Sequence, residues 1–235
     1  MKQVILSAFF IFLSQTALSR STEFGNGGNA VICSTYDGES VATYDLIESI
    51  LRYGLFPNFP PMVSSDCQTQ KNGREVCETG TDVARVILGR LEKVDPILMQ
   101  DLLRKLDSFW SETSIVSADL TSVNDYGLGF LPEGCSLKQL AVQQEPIFAE
   151  DSRYFISSPL WQKLFNLDKA VLILHEIIYR YALEHNPGLN NSVKVRYFNA
   201  LLISDKFKDL IQNEYKDIYF KVFKTDAKPV GPSKK

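Results

Sequence analysis

The sequence predicts an α+β protein: a mainly helical single domain with a small antiparallel sheet and disulfides. Three observations carry this. Apolar residues recur at helical spacing over 82–110 and through most of 168–222, which leaves the short alternating runs to 30–43 and 113–158. Four cysteines, Cys33, Cys67, Cys77 and Cys135, stand in a chain that opens on an export-type leader. No internal repeat and no linker divides residues 20–222, and a stretch of that size buries a substantial core as one unit.

The leader is "MKQVILSAFFIFLSQTALS". Lys2 supplies a positive start, Val4 to Leu13 an apolar run, and Ala17-Leu18-Ser19 the small residues of a cleavage site. An apolar run of about ten residues is too short for a bilayer core of about 30 Å. Residues 1–19 are therefore expected to be a secretory signal peptide, with no lipid anchor at the cut and no integral membrane segment after it. The mature chain is expected to begin near Arg20 and to work in the periplasm or outside the cell. A formal net charge of −3, from which cleavage removes only Lys2, argues against nucleic acid or an anionic membrane as partner. An envelope protein or a glycan is the partner class that remains.

"GNGGNAVIC" places its glycines before the first strand, the wrong order for a phosphate cradle. "AVICSTYDGESVAT" reads as strand, Asp37-Gly38 turn and strand, running into a helix near Tyr44. In "CQTQKNGREVC" a three-residue loop, Lys71-Asn72-Gly73, places Cys67 opposite Cys77 and predicts a bridge between them. Cys33–Cys135 follows by elimination. No C-x-x-C spacing supports a metal cluster instead. Thr81 or Asp82 is expected to cap the next helix, and Asp95-Pro96 breaks the 82–110 pattern into two helices. "SIVSADL", "CSLKQLAVQQE" and "RYFISS" read as strands. Ser157 or Ser158 caps a short helix with Pro159 at its first position. Three helices follow, over 168–185, 191–204 and 205–222. Residues 223–235 are expected to be a disordered tail.

"AVLILHEIIYRYALEH" holds the candidate site. At about 100° per residue, His175, Tyr179, Glu176 and Arg180 form one polar stripe on a helix that is otherwise apolar all round, so the helix belongs in the interior and its stripe needs partners. Glu176 and Arg180 are spaced to pair, as are Arg180 and Glu184. Arg196 and Asn199 on the next helix, capped by Asn191 or Ser192, are expected to meet the stripe, with Arg196 on Glu176. The alternative is that they lie on the surface.

Two functional readings stand. His175-Glu176-x-x-Tyr179 departs by one residue from the His-Glu-x-x-His helix of zinc peptidases, where both histidines hold metal and the glutamate is the base. Tyr179 replaces the second histidine. His185, the only other histidine, would stand about 15 Å along an unbroken helix from His175. In the hydrolase reading Glu176, His175, Tyr179, Arg180 and Arg196 are the catalytic set, with His175 as the zinc ligand or with Glu176 acting without metal against a second carboxylate. In the other reading the stripe is a hydrogen-bonded core network, no cofactor is needed, and the protein binds or builds. The second is preferred.

"GNGGNAVIC", "LPEGCSLKQLAVQQ", "LILHEIIYRYA" and "VRYFNALL" together resemble a group of uncharacterised exported proteins from Bdellovibrio-like predatory bacteria. The resemblance implies a bacterial periplasmic or secreted protein. It brings no established activity and no catalytic residues.

Overall fold

The computed structural model describes residues 28–36, 38–58, 67–69, 75–77, 79–122, 125, 127–129, 131–186 and 188–224. The expected leader, and the expected tail beyond Lys224, lie outside them.

β1 (Asn29–Thr35) pairs antiparallel with β2 (Gly38–Thr43). Gly38 faces Thr35 at φ 126°, a conformation that favours glycine, so it opens the strand rather than completing the expected Asp37-Gly38 turn. Asp37 itself lies outside the described residues. α1 (Tyr44–Leu51) follows directly. In the short hairpin of β3 (Cys67–Thr69) and β4 (Glu75–Cys77), Cys67 stands opposite Cys77, the register that a three-residue loop requires. The loop and the expected bridge lie outside the described residues.

α2 (Gly80–Leu88) is capped by Thr79, not by Thr81 or Asp82. Asp82 is the other half of a capping box: its carboxylate accepts from Thr79 N at 2.9 Å, while Asp82 N donates to Thr79 Oγ1 at 3.3 Å. A 3-10 turn at Gly89–Leu91 precedes the break at Asp95. Asp95 caps α3 (Pro96–Ser108), accepting from Leu98 N at 2.9 Å. A second 3-10 turn, Phe109–Glu112, leads into β5 (Thr113–Val116).

"CSLKQLAVQQE" is two strands, not one: β6 (Cys135–Gln139) and β7 (Ala141–Gln143) belong to different sheets. The chain bends at buried Leu140. The Gly28 carbonyl accepts from Leu140 N at 2.6 Å and Ala141 N at 2.7 Å, and the Leu140 carbonyl accepts from Ser157 N at 2.9 Å. Apolar alternation runs through such a bend unbroken, so the pattern does not reveal it. β6 lies on the free side of β1, giving an antiparallel sheet of order β2-β1-β6. β7, β8 (Tyr154–Ser157) and β5 form a second sheet of order β5-β8-β7, mixed because β5 runs parallel to β8. Cys33 and Cys135 face each other across β1 and β6 and are bridged, joining positions 102 residues apart.

α4 (Ser158–Trp161) leads to α5 (Asn166–His185), α6 (Val193–Ile203) and α7 (Gln212–Phe223). The expected 205–222 helix is a 3-10 turn, Asp205–Asp209, followed by α7, because Leu210 and Ile211 take extended backbone between them. α5 is the axis of the protein. It packs against α1, α2, α3, α6, α7 and β2, and every residue from Ala170 to Tyr179 is buried. Among the described residues no helix is long and apolar enough to cross a membrane.

The Cys33–Cys135 bridge closes a loop long enough for the chain-entropy model to assign it about 4–5 kcal/mol. Replacing both cysteines by alanine should lower the urea midpoint and steepen the slope, because the unlinked chain unfolds to a more expanded state. An unchanged midpoint would show that the sheet holds this register without the link.

Candidate functional site

α1 buries two acids: Asp45 and Glu48, three residues apart, share one inward-turned face. Two acids inside a protein must be met by donors. α5 and α6 bring them.

His175 Nδ1 lies 2.8 Å from Asp45 Oδ2. Asn199 Nδ2 donates to the same carboxylate oxygen at 2.9 Å and to the Val171 carbonyl at 3.0 Å. The Asp45 carboxylate thus holds the hydrogen of His175 on Nδ1 and ties α1, α5 and α6 at one point. Exposure is 1% for His175, 3% for Asp45 and 0% for Asn199, so the point is sealed from solvent. Tyr179, in the place of a second zinc histidine, is equally buried, with its ring 6.1 Å from the His175 ring.

Arg196 does not reach Glu176 as expected. Its Nε donates to Glu48 Oε2 at 2.7 Å, and its Nη1 donates to Asp125 and, at 2.7 Å, to Ser192 Oγ. Ser192 Oγ in turn donates to Asp125 at 2.5 Å, and Arg52 Nη1 donates to the second Glu48 oxygen at 2.7 Å. The Arg196 guanidinium also lies 5.4 Å above the Tyr44 ring. Burial would lower its pKa, but the Glu48 bond and the Asp125 charge outweigh burial and raise it. A cation held between two carboxylates in the interior is well satisfied, and removing either side leaves a buried charge unpaired.

Glu176 points the other way, toward β7 and the start of β1. With the Gln143 amide assigned so that its nitrogen, not its oxygen, faces Glu176, it donates to Oε2 at 3.2 Å and to the Glu176 carbonyl at 3.1 Å. Gly28 closes the remaining side. A Cβ there would stand 2.6 Å from the Ala141 carbonyl oxygen and 2.8 Å from Glu176 Oε1, so only glycine fits. Burial raises the Glu176 pKa to about 7, with His175 lowering it and Asp45 raising it further.

Arg180 does not pair with Glu176 either. Its Nη1 donates to Glu112 at 3.0 Å and its Nε to Glu184 at 3.1 Å. Glu112 also accepts from Arg153, which reaches Glu145, while Glu184 accepts from Lys105. The result is an alternating chain of charge along the flank of α5. The sequence-level stripe is therefore split three ways: His175 to α1, Glu176 to β7, Arg180 to Glu112.

His185 stands elsewhere, in a cavity of about 340 Å³ between α3 and the end of α5, stacked on Tyr181 with Nδ1 2.8 Å from the Tyr181 carbonyl oxygen. Among the described residues no three His, Cys, Asp or Glu side chains converge so as to hold a metal ion.

Asp45, Glu48, Asp125 and Gln143 complete the arrangement and were not among the residues singled out from sequence. The available signal was "YDLIES", whose two acids share a helix face.

Comparison with protein-family models, with curated proteins and with solved structures finds no match to this chain.

Glu176 binds its proton up to about pH 7 when folded but only to about 4.5 when unfolded. Its stabilisation is complete below pH 4.5 and is lost as pH rises through 7, a change of roughly 3 kcal/mol. Asp168, which burial raises from 3.8 to about 6 against its bonds from Thr43, adds a loss of the same sign over a lower range. Glu176→Gln should flatten the fall between about pH 4.5 and 7 and exceed the wild type in stability above it. A wild-type urea midpoint that rises over this range would contradict the assignment. Gly28→Ala should cost about 1–3 kcal/mol at either pH, through the same measurement.

Proposed function

We propose that this chain is an exported protein of the periplasm or the extracellular space that binds or builds rather than catalyses, and that its His-Glu helix locks the fold. The observation that carries this reading is the burial of the two residues on which a hydrolase would depend: His175 is 1% and Glu176 3% exposed, each turned to a different partner inside the protein. A hydrolytic centre needs its base and its metal or second acid to face one accessible space. The leader-like start, the Cys33–Cys135 bridge and the resemblance of four short motifs to exported proteins of Bdellovibrio-like bacteria support the exported half of the reading. With the acidic balance of the chain, an envelope protein or a glycan is the partner class it favours.

The hydrolase alternative retains one favourable observation, a His-Asp pair next to a carboxyl whose pKa is raised to about 7. Metal analysis of the purified mature protein, with His175→Ala alongside, separates the two. The scaffold reading predicts substoichiometric zinc in both proteins and a loss of about 2–4 kcal/mol in the variant, since Asp45 loses its imidazole in a sealed interior. Near-stoichiometric zinc in the wild type, absent from the variant, would overturn it. Expression with the leader intact should deliver a periplasmic or secreted chain whose mass places its first residue near Arg20; retention in the cytoplasm uncut would overturn the exported half.

A further inference from the structure

The chain has two tryptophans, and the fold brings them together. Trp110, from the 3-10 turn after α3, and Trp161, from α4, meet edge to face with ring centres 5.4 Å apart. Two further contacts hold Trp110. Buried Phe109 packs edge to face with it at 5.2 Å, and its Nε1 donates to Thr81 Oγ1 of α2 at 2.9 Å. Lys169 of α5 completes the group, with its ammonium 5.5 Å over the Trp161 ring. Gly80 lets α2 come this close to α5, since a Cβ there would stand 2.6 Å from Lys169 Cβ.

Tryptophan is highly buried on average, yet Trp110, anchored as it is, stays 41% exposed. A rigid, open indole offers a large contact area at little entropic cost to a partner. The groups around it decide which partner fits. Thr81 Oγ1 accepts from the indole, and no described residue accepts from its hydroxyl, so that hydrogen is left for a ligand. Among the described residues Lys169 has the Trp161 ring as its partner and no carboxylate. An apolar side chain or an acyl chain laid here would strip water from both groups and return no hydrogen bond. A pyranose ring returns them: its C–H face covers an indole while the hydroxyls round its edge meet the polar groups. A carboxylate on the sugar supplies the counter-charge for Lys169. The match is local, because physiological salt screens the acidic balance of the chain beyond about 8 Å.

We propose that this patch binds a glycan whose sugar rings carry a carboxylate. A pyranose lies on Trp110, and the carboxylate extends to Lys169. Both groups stand against Trp161, at 5.4 and 5.5 Å from its ring, within the reach of a disaccharide. The inference rests on the reading of the chain as an exported binding protein and chooses the glycan from the partner classes that reading leaves.

The test is tryptophan fluorescence of the purified mature protein, which reports on this patch because both tryptophans lie in it. Two acidic disaccharides are titrated, N-acetylglucosaminyl-N-acetylmuramic acid and digalacturonate, and the tighter of them identifies the source of the glycan. Chitobiose is the neutral sugar, and hexanoate is the carboxylate with an apolar body but no pyranose. A saturable change at millimolar concentration or below is expected with at least one acidic sugar, about threefold tighter than with chitobiose. Hexanoate should bind more weakly than either. Trp110→Ala should weaken sugar binding at least about tenfold, with Trp161 left as the reporter. Lys169→Gln should erase the preference for the acidic sugar while chitobiose binds as before. It keeps most of the stem, so the test stands even where Trp110→Ala does not fold. The proposal is overturned by no saturable change with either acidic sugar, or by chitobiose or hexanoate binding as tightly as they do. Sugar binding undiminished in a folded Trp110→Ala, or a preference that survives Lys169→Gln, would overturn it too. None of these results touches the exported reading, which is tested separately by where the chain is found and by its first residue.

Discussion

A helix buried on all sides cannot carry polar side chains unless something inside the protein meets each one. That constraint on α5 organises the rest of the structure. His175 requires an acceptor, and α1 turns its acidic face inward to supply Asp45. Glu176 requires a donor and room, which Gln143 and the missing side chain of Gly28 provide. Asp168 in the first turn of the same helix accepts from Thr43 N at 2.8 Å and so fixes the junction between β2 and α1. Each polar group on α5 places a different neighbour.

The arrangement is specific in a way that apolar packing alone is not. Leucines on α5 would tolerate small rotations of the helices around it, because hydrophobic contact has no direction. The Asp45 carboxylate shared by His175 and Asn199 does not, since moving any one of three helices breaks a sealed hydrogen bond. Arg196 extends the same logic outward. It binds Glu48 on α1 and Asp125 in the connection between β5 and β6, so that connection is anchored to the helical layer by a fully buried cation. Each such group is costly if left alone and is stabilising only within the complete set.

The helices were legible in the sequence because their apolar spacing is dense, and α5 was legible as an interior helix because it is apolar nearly all round. Its need for partners was legible for the same reason. The identity of the partners was not. Glu176 and Arg180 are correctly spaced for each other, yet Arg180 lies on the flank of α5 nearer Glu112, and Glu176 faces the sheet. Local spacing could not reveal an acid brought in from the 3-10 turn that follows α3. The bend at Leu140 was hidden because alternation continues through it, and Asp45 was hidden because a short helix normally buries its leucines and exposes its acids. α1 buries Asp45 and Glu48 as well, which only the fold around α5 explains.

The central claim is that His175 and Asp45 act on each other inside the core. A double-mutant cycle in urea unfolding, with Asp45→Ala, His175→Ala and the pair, measures that directly. The account predicts two large single losses and a coupling of at least about 1.5 kcal/mol, the double variant being much less destabilised than the sum of the singles. Additive losses with no coupling would show that the two residues stand side by side without holding the fold together.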